Sequence, residues 1–88
     1  MVATFQSTLD DISNTLTLGL IDNKGIAKAL SSNINAASNA AAGGDKKTAE
    51  NIINDFINQV NAQTGKHLSG VAPQLLLADA NCLLGQLQ

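Results

Sequence analysis

Residues 49 to 60 read AENIINDFINQV, and within them Ala49, Ile52, Ile53, Phe56, Ile57 and Val60 recur at steps of three and four. A strand would send successive side chains to opposite faces and scatter this set. An α-helix, at 3.6 residues per turn, gathers it into one broad stripe. Asn51, Asn54, Asp55, Asn58 and Asn61 then fall on the other side, facing water. The stripe has to be buried against something, so the rest of the chain must supply partners of the same kind.

It does. Phe5, Leu9, Ile12 and Leu16 are spaced by four, three and four and predict a first helix, after which Gly19 loosens the chain. Asp22 or Asn23 is placed to cap a second helix whose inward row is Ile26, Leu30, Ile34, Ala37 and Ala41, a thin element because of its alanines. The paired glycines of AAGGD end it, and Asp45 can accept from the free amides of the third helix. Gly65 suits the position just past that helix, and Ser69 or the Ala72-Pro73 pair opens a fourth. On that last helix Leu76, Ala80, Leu83, Leu84 and Leu87 form one apolar arc, and Val71, Leu75, Ala78 and Cys82 a second, which predicts the most buried element of the four. Asp79 lies between the arcs.

Four helices joined by short loops predict an all-α fold, a small up-down-up-down four-helix bundle, with residues 1–88 as one domain. A chain of this size buries about 60–65% of the surface it exposes when unfolded, so the interior must be simple. In that order of helices the loops at 22–25 and 64–68 share one end, bringing Asp22, Asn23, Lys24, Lys66 and His67 together. The glycine turn at 43–45 and both termini share the other.

Charge and composition remove several classes of function. Charged residues are 14% of the chain, the net charge is −2, and all five cations are lysines. Without arginine forks or a basic face there is no footprint for nucleic acid, nor for an anionic membrane surface. The most apolar segment, VAPQLLLADANCLLGQL, is broken by Asp79 and Asn81 before it reaches the length of a membrane span. No Trp or Tyr offers a sugar platform, and neither of these nor Arg is present to anchor a tight interface. The ten asparagines include none in an Asn-x-Ser/Thr pattern, so no N-glycan is expected. A surface rich in uncharged polar groups is commoner outside cells than inside. The opening MVATFQSTLDD carries no secretion signal and reads as a start methionine placed on an excised domain.

The candidate chemistry is sparse. Cys82 and His67, the single cysteine and histidine, are separated by too much helix to form a nucleophile–base pair, and no metal-ligand spacing occurs. No catalytic residue, metal site or cofactor is therefore expected. Cys82 reads as a small apolar group in a packed arc. Lys66 and His67 follow a helix C-terminus, where cations meet unpaired carbonyls; the alternative is that they share a ligand patch with Asn23 and Lys24. Asp10 and Asp11 point about 100° apart on a helix and are expected to be solvated. Asp79 is expected to cap or bond a neighbouring helix.

Residues 19–66 carry a further signal. Gly19, Ile21, Asn23, Gly25, Ile26 and Leu30, the Ala36-Ala37 pair, the glycine before the third helix, Ala49, and FINQVNAQTGK at 56–66 together resemble the FIMAH-type helical modules of larger secreted proteins. The resemblance implies an extracellular, non-enzymatic appendage beside protease, lyase or carbohydrate-active domains, and transfers no ligand. The expectation is a non-catalytic accessory module of a larger secreted protein, acting as spacer, docking or weak surface-binding domain. It would be monomeric, with neighbouring domains of the parent chain or an extracellular surface as partner, and with Asn23, Lys24, Lys66 and His67 as binding residues. A bundle that takes a small apolar ligand and a self-association module are the alternatives.

Overall fold

A computed structural model describes residues 3–87; Met1, read above as a start placed on an excised domain, lies outside them. Four helices follow one another: α1 (Phe5–Thr17), α2 (Lys24–Ala42), α3 (Lys46–Gln63) and α4 (Ala72–Leu87). Each packs on its neighbour in sequence, and α4 closes the ring against α1. The all-α four-helix bundle expected from the periodicity is the fold.

The boundaries follow from local hydrogen bonding. Thr4 opens α1 with a capping box, its hydroxyl accepting from the Ser7 amide at 2.9 Å while the Ser7 hydroxyl accepts from the Thr4 amide at 2.8 Å. Asn23 caps α2 by accepting from the Ile26 amide, and Asp45 caps α3 by accepting from the Thr48 amide. At the end of α1, Gly19 and Leu20 donate to the carbonyls of Leu16 and Thr15; at the end of α2, Gly44 and Asp45 donate to those of Ala41 and Ala40. Both are Schellman turns, which need a left-handed residue, and Gly19 and Gly44 supply it at φ of 80° and 85°.

The interior is one cluster that includes Ile12 of α1, Leu30 and Ile34 of α2, Ile53, Phe56 and Val60 of α3, and Leu76 and Leu83 of α4. The third helix matches its sequence reading most closely: Ala49, Ile53, Phe56 and Val60 are fully buried, with Ile52 and Ile57 half-buried along the flanks. In α2 the buried row is Ala27, Leu30, Ile34 and Ala37, and Ile26 and Ala41 sit at its margin.

Two expectations need correction. The inward face of α1 is centred on Thr8, Ile12 and Thr15, with Phe5, Leu9 and Leu16 only half-buried. Threonine tolerates this position because its hydroxyl bonds back to its own helix: Thr8 to the Thr4 carbonyl at 2.8 Å and Thr15 to that of Asp11 at 2.7 Å. In α4 only the first arc is buried, through Leu76, Ala80, Leu83 and Leu87. The second faces outward, with Val71 and Ala78 exposed and Leu75 and Cys82 half-buried. The bundle packs α4 between α3 and α1 alone, so one face of it has no partner helix.

Candidate functional site

The end of the bundle that holds the α1–α2 and α3–α4 connections is built by backbone pairing. The Ser69 amide donates to the Leu20 carbonyl at 2.9 Å and the Asp22 amide to that of His67 at 3.0 Å, so the two loops run antiparallel through an Ile21–Leu68 bridge. Ile21 and Leu68 point inward and are buried, each 1% exposed. They fasten the paired loops to the core as its lid.

His67 is aimed by the way α3 ends. Thr64 leaves the helix in an extended conformation, Gly65 takes φ of 82°, and the amides of Lys66, His67 and Leu68 all converge on the Gln63 carbonyl. This tight turn reverses the chain and lays His67 beside the first loop. Its Nδ1 lies 2.7 Å from the Asp22 carboxylate. Here the sequence reading needs revising: the imidazole answers a carboxylate across the gap between loops, where a helix carbonyl was expected. The pair is open to water, with side-chain exposures of 40% and 60%.

Of the four residues expected to bind, the structure places all at this end. Asn23 spends its side-chain oxygen on the α2 amide, Lys24 begins α2, Lys66 sits in the reversing turn, and both lysines are exposed. The periodicity missed two others. Leu18 and Val71, 73% and 61% exposed, are the exposed large hydrophobic residues among those described. Each stands two positions beyond the Leu20–Ser69 hydrogen bond, on opposite strands of the paired loops. The end therefore combines two lysines, a hydrogen-bonded His67–Asp22 pair and two apolar side chains. Helical spacing could not show this, because Val71 counts as part of an apolar arc and Leu18 as a loop residue.

Cys82 belongs to the other end. Its Sγ accepts from the Ala3 amide at 3.4 Å, and Gln86 one turn later donates to the Ala3 carbonyl at 2.6 Å, pinning the segment before α1 to the last turns of α4. Cys82 and His67 are thus engaged with different partners. Among the described residues no three His, Cys, Asp or Glu side chains converge as metal ligands, and no helix is long and apolar enough to cross a membrane.

Asp10 is exposed, as expected, and accepts from Gln6 at 3.1 Å. Asp11 is not solvated in the same way but half-buried, and Asp79 neither caps nor bonds a helix: it is 1% exposed and both its oxygens lack a hydrogen-bond donor. Burial first, and then the neighbouring Asp11 carboxyl and its charge, push the Asp79 pKa up to about 7.

No curated protein and no solved structure matches the chain. The model of the FIMAH domain matches residues 5–85, from the first residue of α1 almost to the end of α4. With both paired loops and all four helices inside that span, the chain belongs to the FIMAH domain family.

Proposed function

We propose that this chain is a non-catalytic accessory module of a larger secreted protein, and that it docks through the end formed by residues 18–24 and 64–71 onto a neighbouring domain of the parent chain. The observation that carries this reading is the position of Leu18 and Val71. Among the described residues the other large apolar side chains are wholly or partly hidden, whereas these two stand in water at the end of the bundle that also carries Lys24, Lys66 and the His67–Asp22 pair. A small mixed patch of that kind suits a weak, partly polar contact of the sort made between domains of one chain. Family membership supports the reading of a unit within a larger protein, and the scarcity of charge supports an extracellular setting. The small-ligand alternative has no comparable observation behind it.

The reading is tested by titrating the isotopically labelled module with the adjacent domain of its parent protein. Amide shifts confined to residues 18–24 and 64–71, and weakened by Leu18→Ser with Val71→Ser, are expected. Shifts centred on the outward face of α4 would place the contact elsewhere, and an absence of shifts at high protein concentration would leave a plain spacer.

A further inference from the structure

The groups not used by that reading lie in the seam between α1 and α4. Asp79 sits there with two unpartnered oxygens and 1% exposure, on the side of α4 whose Cys82 and Gln86 meet Ala3 just before α1, and the half-buried Asp11 is the α1 carboxyl that acts on it. A carboxylate buried without a donor is strained; the same carboxyl with a proton shared toward a second carboxylate is satisfied. Among the described residues no cation pairs with it. Lys46, Lys47 and Asp55 of α3 are exposed, Glu50 is half-buried, and none of them acts on the ionisation of Asp79. On α1, Asp10 is engaged by Gln6, and on α4 itself the Cys82 thiol is occupied by Ala3.

The element across the seam is also the least firmly held. Ile12 is the only fully buried hydrophobic residue of α1, against four in α3, and its two other buried residues are threonines. We propose that Asp11 and Asp79 form an acid-closed latch: while they share a proton α1 stays docked on α4, and when the proton leaves, two like charges in the seam release α1 from the bundle. The opening is local, since α2, α3 and α4 retain the larger part of the apolar core. The released surface would be the Thr8–Ile12–Thr15 face and the side of α4 it covered. A metal ion is the other species that two carboxylates could share, but two ligand residues fall short of the six to eight oxygens calcium takes.

Native-state hydrogen exchange on the whole chain tests this, with protection factors corrected for the intrinsic pH dependence of exchange. Between pH 5 and pH 8 the protection of residues 5–17 should fall at least tenfold relative to that of residues 49–60. Asp79→Asn, which keeps the shape and removes the charge, should hold α1 protection constant over the same range. Should that variant fail to fold, Asp11→Asn reads the same outcome, because it removes the second charge. Equal relative protection of α1 at pH 5 and pH 8 in the unaltered chain would overturn the latch, as would an unchanged pH dependence in the variants. Restoration of protection at pH 8 by added calcium or sodium chloride, at constant ionic strength against choline chloride, would assign the seam to a cation instead.

Discussion

Phe56 is the largest side chain that is fully buried, and it lies at the centre of the α3 stripe, where Ile53 and Val60 flank it. Truncation there removes transfer free energy and leaves a cavity that a ring of helices cannot close, so Phe56→Ala should cost about 3–5 kcal/mol. Urea denaturation would show it as a lowered midpoint, and in a chain of 88 residues a loss of that size approaches the whole stability, of the order of 4–13 kcal/mol. At Gly65 the constraint is the backbone alone. With φ of 82° and open space where a Cβ would stand, Gly65→Ala meets no clash, yet forces a left-handed alanine at about 1–2 kcal/mol. A thermal midpoint lowered by several degrees with an unchanged helical spectrum is the expected result, since the turn that aims His67 is strained while the helices stay intact.

Between elements, the two paired loops are tied by backbone hydrogen bonds, by burial of Ile21 and Leu68, and by the His67–Asp22 pair. These contributions are unequal. The His67–Asp22 pair is more than a third exposed on both sides and should couple by less than about 1 kcal/mol in a double-mutant cycle of Asp22→Ala and His67→Ala. Replacing Lys66 and His67 together by alanine should likewise cost less than about 1 kcal/mol, because neither side chain is buried. A larger loss would mean that the pair, not the Ile21–Leu68 bridge, closes this end. Elements and end-to-end arrangement were legible in the sequence because period, caps and glycines act locally: Asn23 and Asp45 cap where their spacing places them, and α3 buries the stripe its apolar residues draw. What escaped was set by partners rather than by period. Thr8 and Thr15 took the inward face of α1 because their hydroxyls are satisfied within one turn, and the second arc of α4 stayed wet because no fifth helix covers it. The Asp11–Asp79 meeting and the Leu18–Val71 patch each join residues more than fifty positions apart, and no local pattern encodes such a pairing.

At the scale of the molecule, two carboxyl groups pull stability in opposite directions with pH. Asp79 has its folded pKa raised to about 7 from an ordinary value of 3.8, so the folded state holds a proton that the unfolded chain gives up. Its contribution is fully present below pH 3.8 and is lost as the pH climbs toward 7. Asp45 behaves in the reverse sense: bonds from the Thr48 hydroxyl and then the Thr48 amide lower its pKa, so what it adds is present above 3.8 and lost as acid protonates the folded cap. The module should therefore be most stable near pH 4 and weaken toward pH 8, the opposite of a protein whose carboxylates are all paired with cations. Urea titrations at half-unit steps from pH 3 to pH 9 should show the midpoint falling between pH 4 and pH 8. In Asp79→Asn the decline over that window should vanish while the loss below pH 4, which belongs to Asp45, remains. A midpoint that rises from pH 4 to pH 8 would mean that Asp79 is ionised in the folded chain and has found a donor, in which case the α1–α4 seam holds a buried charge instead of a proton.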